Sequence, residues 1–146
     1  MRYEPAEGRL GLAVPVRYGE IVTVGRRPLV SVVDDDESVR ESLPDLLREV
    51  GYEARVFSSA EEFLGSNSVG ETRCLLLDIA MPGMSGTELQ EELRGRQIKI
   101  PIIFITAQRD EAVRPRMLAR GAVECLFKPF SDTALLEALN AAFPTK

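Results

Sequence analysis

Residues 29–37 read LVSVVDDDE, a short β-branched and apolar run that leads directly into an acidic cluster. Similar runs recur along the chain, and longer segments with helical periodicity separate them. The predicted strands are Leu29–Val33, Glu53–Phe57, Cys74–Leu77, Ile102–Ile105 and Glu124–Phe127. This alternation is typical of an α/β fold in which helices cover a parallel sheet, and the continuous apolar runs indicate strands that are buried on both faces.

Serines mark the starts of three predicted helices, because a serine side chain can cap free backbone N–H groups of the first turn. These residues are Ser59, Ser85 and Ser131. Gly51 and Gly121 are expected to end the first and fourth helices.

Two prolines interrupt the helical pattern. Pro44 falls inside the first helix, where we expect a kink, because the ring removes a hydrogen bond and clashes with the preceding turn. Pro115 lies near the start of the fourth helix, so we expect that helix to begin late, near Arg114, and to be altered or shortened.

The composition is that of a globular domain and limits the classes of function. A chain of 146 residues with 45% hydrophobic residues can bury a core without disulfides. A formal net charge of −5 argues against a nucleic-acid surface, which requires a basic face. Cys74 and Cys125 lie in apolar runs and are expected to be buried free thiols. With no membrane-length apolar segment and no visible leader, we expect a soluble, cytoplasmic protein.

The chain contains no histidine. This excludes Ser-His-Asp and Cys-His nucleophile pairs, zinc sites with histidine ligands, and a phosphohistidine carrier. Any chemistry must therefore use carboxylates, hydroxyls and lysine.

Residues 1–28 do not share the pattern of the rest of the chain. We therefore predict an N-terminal extension over 1–28 and a single domain over 29–146. Apolar residues on both sides of Gly19-Glu20 would allow a small hairpin in the extension. The default expectation for this extension is a disordered arm, and the hairpin is the alternative.

Residues able to carry chemistry follow four of the five predicted strands. Asp34 and Asp35 follow the first strand, Asp78 the third, Thr106 the fourth and Lys128 the fifth. The carboxyl ends of parallel strands line one crevice in an open α/β sheet, so we expect these side chains to meet there. Singly, each has an ordinary explanation as a helix start, a turn residue or a solvated charge. Their shared placement favours a site.

Crowded carboxylates repel one another, which raises at least one pKa unless a cation is bound. Mg²⁺ suits such a site, because it prefers oxygen ligands and typically combines one or two carboxylates with phosphate oxygens. Asp34 and Asp35 suit the metal, and Asp78 can act as a nucleophile that forms an acyl phosphate. Lys128 offers a positive charge to the phosphoryl oxygens. The Thr106 hydroxyl can donate a hydrogen bond to the new group and draw its loop inward.

These motifs resemble the receiver domains of two-component response regulators, most closely those of the FixJ type. The matching segments are VDDDE at 33–37, LDIAMPGMSG at 77–86, ITA at 105–107, GA at 121–122 and KPF at 128–130. The resemblance extends from Leu29 to Phe143. It implies a five-stranded parallel sheet, doubly wound in the flavodoxin-like order 2-1-3-4-5, with five helices. It also implies a cis Lys128-Pro129 bond.

By this resemblance, the metal ligands are Asp34, Asp35, Asp78 and the backbone carbonyl of Ala80. Asp78 is also the phosphoacceptor, Thr106 the switch hydroxyl and Lys128 the phosphate-sensing lysine. The resemblance implies a phosphorelay switch, not an enzyme, although the domain takes part in its own phosphorylation and dephosphorylation. Its phosphodonor would be a sensor histidine kinase or a phosphotransfer protein.

Cys125 departs from the family pattern, because many receivers have a Tyr or Phe there that rotates inward with the switch threonine. Output should therefore depend on the backbone and the fourth helix. Ala80, two residues after Asp78, cannot orient a water against the acyl phosphate, whereas Gln108 can, which predicts slow to moderate phosphoryl loss. The resemblance leaves open the output protein, a homodimer, and whether the chain is a stand-alone receiver or a fragment.

Two other functions compete with this interpretation. One is a pseudo-receiver that keeps the fold as a scaffold without phosphorylation, and the complete set of acidic, hydroxyl and lysine residues argues against it. The other is an aspartyl phosphohydrolase, in which a second Asp two residues after the nucleophile acts as general acid. That position is Ala80 here, which argues against an enzyme.

Overall fold

The computed structural model describes residues 27–144 and, in the segment before them, only residues 14–15 and 24–25. Two short strands, Val14–Pro15 and Val24–Gly25, pair antiparallel. The turn predicted at Gly19-Glu20 lies outside the described residues. The boundary between extension and domain stays a prediction.

The main sheet has five parallel strands. They are β1 (Leu29–Val33), β2 (Glu53–Phe57), β3 (Thr72–Asp78), β4 (Ile102–Thr106) and β5 (Glu124–Phe127). Their order is β2-β1-β3-β4-β5, which confirms the predicted order 2-1-3-4-5. Because β3 and β4 extend to Asp78 and Thr106, both side chains belong to the sheet itself and not to the loops that follow.

Five helices connect and cover the strands. They are α1 (Glu37–Glu49), α2 (Ala60–Leu64), α3 (Gly86–Gly95), α4 (Val113–Ala119) and α5 (Asp132–Ala142). The predicted starts of α2, α3 and α5 are confirmed, since Ser59, Ser85 and Ser131 each accept a hydrogen bond from a backbone N–H of the first turn. Asp36 caps α1 in the same way.

Gly51 and Gly121 end α1 and α4 as predicted, with φ values of 108° and 97°. At both ends the backbone N–H groups of the glycine and of the residue after it donate to carbonyls of the last helical turn, which is the Schellman arrangement. The same arrangement ends α3, but there Gln97 occupies the left-handed position with φ 60°. A side chain with a Cβ is strained in this conformation.

The fourth helix is short, as expected, and begins at Val113, one residue before the predicted start. Pro115 is its third residue, where a missing N–H costs nothing because first-turn N–H groups have no partner within the helix. Helix α1 continues through Pro44 as one element, and the expected kink stays a prediction.

The sheet is covered on both faces, which makes the fold doubly wound. One apolar layer joins alternate residues of the strands to α2, α3 and α4, and includes Phe63, Leu77, Leu89, Phe104 and Met117. The other joins the intervening residues to α1 and α5, and includes Val32, Leu47, Leu76, Ile105 and Leu139. The edge strand β2 is an exception to the predicted two-sided burial, since three of its five residues are exposed.

Cys74 and Cys125 are buried free thiols, as predicted. Within residues 27–144, no helix has the length and apolar character needed to cross a lipid bilayer.

Candidate functional site

The carboxyl edge of the sheet brings three of the predicted acidic residues together. Val33 and Leu77 are in register across β1 and β3, so Asp34 and Asp78 follow side by side. Asp34, Asp35 and Asp78 each offer a carboxylate oxygen within 4.8 Å of the other two. Asp34 and Asp78 are buried, whereas Asp35 is exposed.

Asp34 is the most constrained member of this cluster. Its backbone N–H donates to the carbonyl of Phe57 at 3.1 Å, and its Oδ1 accepts from the backbone N–H of Asp36 at 2.9 Å. Its own carbonyl accepts from Arg40 Nη1 at 2.9 Å. The side chain is fully buried, so its direction is set by the end of β1 and the start of α1.

Lys128 supplies a positive charge to the cluster. Its Nζ lies 3.0 Å from Asp34 Oδ2, 3.7 Å from Asp36 Oδ2 and 3.8 Å from Asp78 Oδ2. The residue follows β5 directly, and its backbone N–H donates to the carbonyl of Thr106 at 2.8 Å. The Lys128-Pro129 bond is cis, as predicted.

One lysine does not balance the negative charge of the site. Burial and the neighbouring charge of Asp34 raise the pKa of Asp78 from 3.8 to about 8. Burial is the largest single effect on Lys128 and disfavours its charged form, but the hydrogen bond to Asp34 and the negative charges of Asp34, Asp78 and Asp36 together outweigh it and raise the pKa of the ammonium group. With a pKa of about 8, the Asp78 carboxyl group is mostly protonated at neutral pH in the absence of a cation.

The residues present fit a hard divalent cation. All donors in the carboxylate cluster are oxygens, as Mg²⁺ prefers. Asp34 Oδ2 is buried with the Lys128 Nζ 3.0 Å away, and that ammonium donates its hydrogen bond to Oδ1 of the same carboxylate at 3.2 Å. A buried carboxylate that faces one ammonium group still has free lone pairs, and a cation would use them and add positive charge to the site.

Thr106 occupies the next strand of the same edge. Asp78 pairs with Ile105, so Thr106 lies one residue further along β4. Its side chain is buried, and its Oγ1 accepts from the backbone N–H of Gln108 at 3.0 Å. In this contact the hydroxyl of Thr106 accepts from the loop that follows β4, which leaves its proton free to donate to another group.

The loop between Asp78 and α3 closes tightly on itself. The Gly86 N–H donates to the carbonyl of Ile79 at 2.8 Å, and a Cβ at Gly86 would overlap the carbonyl oxygen of Asp78. Only glycine permits this approach. Ala80 lies in the loop and is exposed.

Sequence reasoning missed several residues that shape the site. It assigned no role to Asp36 as a cap that also faces Lys128, to Arg40, or to Gly86. Gly86 belongs to the quoted LDIAMPGMSG segment, so its close approach to Asp78 could have been suspected. The Arg40 contact has no signal in the sequence pattern.

Comparison with known proteins identifies the class that this fold and site define. The family model described as the response regulator receiver domain matches residues 30–140. The chain belongs to this family, whose members are signalling switches.

Individual relatives agree with this assignment. Nodulation protein W of Bradyrhizobium diazoefficiens is 47% identical over 116 residues, which are 80% of this chain and 51% of that protein. FixJ of Rhizobium meliloti is 39% identical over 77% of this chain and 55% of that protein. The structure titled FixJ-N has a TM-score of 0.70 at 38% identity and covers 81% of this chain and 94% of that one. The FixJ-like character expected from the motifs is thereby confirmed. The chain spans about half the length of the curated relatives that it matches.

Proposed function

We propose that the chain is the phosphoacceptor receiver of a two-component phosphorelay, and that Asp78 accepts the phosphoryl group. The carrying observation is the group of three carboxylates within 4.8 Å, with the Lys128 ammonium 3.8 Å from Asp78. This combination provides a nucleophile, a set of oxygen ligands for a cation, and a positive charge for phosphoryl oxygens.

In the proposed reaction, a carboxylate oxygen of Asp78 attacks the phosphorus of a phosphohistidine on a sensor histidine kinase or phosphotransfer protein. The new O–P bond forms as the N–P bond of the donor breaks, and the departing imidazole keeps the bonding pair and takes up a proton. The pKa of Asp78, about 8, means that the carboxyl group must first lose its proton at neutral pH. Bound Mg²⁺ would favour the ionised form and offset charge on the transferred group.

Asp34, Asp35, Asp78 and the backbone carbonyl of Ala80 would hold the cation. Lys128 can turn from Asp34 towards the phosphoryl oxygens, because its Nζ already lies between the two aspartates. The buried Thr106 hydroxyl can donate to the same oxygens, and its movement would pull the loop before α4.

The proposed output is a change in a protein-binding surface around α4. Arg109 Nη2 donates to the carbonyl of Lys128 at 3.2 Å, which links the loop after Thr106 to the end of β5. Arg114 and Glu124 join α4 to β5 through two hydrogen bonds of 2.7 and 2.9 Å. Cys125 is buried and too small to report the movement as a rotating ring would, so α4 and its ion pair would transmit it.

The test is intact-mass measurement of the full chain after incubation with acetyl phosphate and Mg²⁺. We expect one added phosphoryl group on the unmodified protein, none on Asp78→Asn, and an unchanged level on Asp45→Asn, which alters an exposed aspartate of α1. Absence of an adduct on the unmodified protein would favour a pseudo-receiver scaffold. Consumption of acetyl phosphate far beyond protein stoichiometry would favour a phosphohydrolase.

A further inference from the structure

The loop of residues 79–85 leads from the phosphoacceptor to α3 and has anchors on two sides. On the inner side Met81 is buried in the apolar layer between the sheet and helices α2, α3 and α4. On the outer side the loop contacts helix α2, which is distant in sequence. The conformation of the loop matters because it carries the backbone carbonyl of Ala80.

The outer anchor is the carboxylate of Glu61. Its Oε2 accepts a hydrogen bond from the backbone N–H of Met84 at 2.9 Å, across 23 positions of sequence. The same oxygen lies against Gly83, where an added Cβ would come within 2.8 Å of it. Gly83 has φ 75°, a conformation that glycine adopts without strain. The carboxylate and the loop backbone therefore fit each other closely.

The neighbouring Glu62 shows that this contact is specific to one side chain. Glu62 Oε1 accepts from the N–H and the hydroxyl of Ser58, so it serves the start of its own helix. Among the described residues, Glu61 makes no such local contact, and its hydrogen bond goes to the loop. Helix α2 holds Glu61 in place, because Phe63 of the same helix is fully buried and anchors the helix in the core.

We propose that Glu61 is a positioning residue of the phosphoryl-transfer site, which holds loop 79–85 so that the Ala80 carbonyl can bind Mg²⁺. The proposal rests on the proposed function and adds a residue outside the acidic, threonine and lysine motifs. A loop that already has the binding conformation loses less conformational freedom when the cation binds. Without Glu61, the loop would have to become ordered when Mg²⁺ binds, and the affinity for Mg²⁺ would be lower.

The first measurement is the affinity of the full chain for Mg²⁺ by isothermal titration calorimetry. Glu61→Ala should raise the dissociation constant about fivefold, which corresponds to about 1 kcal/mol, the size of one typical solvent-exposed hydrogen bond. Glu61→Gln keeps an oxygen acceptor and should show about a twofold increase. The matched control Glu62→Ala should lower thermal stability and leave the dissociation constant unchanged.

The second measurement is the rate of acyl phosphate formation from acetyl phosphate at a series of Mg²⁺ concentrations. Glu61→Ala should shift the half-saturating Mg²⁺ concentration by the same factor and leave the rate at saturating Mg²⁺ close to that of the unmodified protein. A change in the saturated rate alone would contradict positioning through the cation.

The outcomes separate this inference from the proposed function. If the unmodified protein binds Mg²⁺ and forms the adduct, but Glu61→Ala binds Mg²⁺ equally well, the inference is wrong and the proposed function stands. An equal loss of affinity in Glu62→Ala would also overturn the inference, because the effect would then come from α2 as a whole. If the unmodified protein neither binds Mg²⁺ nor forms an adduct, both proposals fail.

Discussion

In magnesium-free buffer, the Asp78→Asn substitution removes an ionisable group that the folded protein holds at a high pKa. Burial and the charge of Asp34 raise this pKa from 3.8 to about 8. Between these pH values the folded protein retains a proton that the unfolded chain has already released. The free energy of unfolding of the unmodified protein therefore falls as pH rises through this interval. The asparagine side chain of the variant does not titrate, so the variant lacks this decline.

The size of the effect follows from the pKa shift. A shift from 3.8 to about 8 corresponds to an upper bound of about 6 kcal/mol, at about 1.4 kcal/mol per pKa unit. Local rearrangement around the charged carboxylate and the entry of water beside the exposed Asp35 reduce this figure. We expect the variant to be more stable by about 2–3 kcal/mol near pH 8 and by close to zero near pH 4.

Urea denaturation followed by circular dichroism, in buffers with EDTA between about pH 4 and pH 8, measures this difference. Asp45→Asn, which replaces an exposed aspartate of α1, is the matched control against which the pH dependence of Asp78→Asn is compared. Addition of Mg²⁺ should stabilise the unmodified protein more than Asp78→Asn, because the variant has lost a carboxylate ligand. A stability difference that stays constant across the pH range would show that the pKa of Asp78 is not raised.

Three further substitutions test other parts of the structure. Gln97→Gly should increase the free energy of unfolding by about 0.5–1 kcal/mol, because glycine relieves the positive φ at the end of α3; a loss of stability in thermal unfolding would contradict this. Gly86→Ala should lower the free energy of unfolding by about 3 kcal/mol and reduce acyl phosphate formation, because the new Cβ overlaps the Asp78 carbonyl. A free energy of unfolding equal to that of the unmodified protein would refute the overlap. Ala80→Asn should shorten the half-life of the acyl phosphate in time-resolved mass measurements by orienting a water, and an unchanged half-life would show that position 80 does not control phosphoryl loss.

The elements of the fold could be predicted because their signals are local. β-Branched runs, serine caps and glycine ends act over a few residues, so the starts of α2 and α5 and the end of α1 were predictable. The predicted strands β3 and β4 each stopped one residue too early, at Leu77 and Ile105. Asp78 and Thr106 are polar, so the sequence pattern predicts that they lie in loops. In the structure Asp78 pairs with Ile105 and Thr106 pairs with Phe127, so both belong to the sheet.

The site could be predicted in outline for a different reason. Parallel strands deliver their carboxyl ends to one edge, so residues after different strands had to converge. This rule predicted that Asp34 and Asp78 lie close together, although the sequence contains no distances. It could not show that Lys128 lies closer to Asp34 than to Asp78, because that depends on the side-chain packing at the edge.

The sequence by itself determined the order of the elements, the caps and the chemical identity of the groups at the carboxyl edge. Only the tertiary structure decided how those groups are charged and held. The raised pKa of Asp78 comes from its burial beside Asp34, and the contact between Glu61 and Met84 spans 23 positions. Both depend on how separate elements pack, and no local pattern encodes such distances.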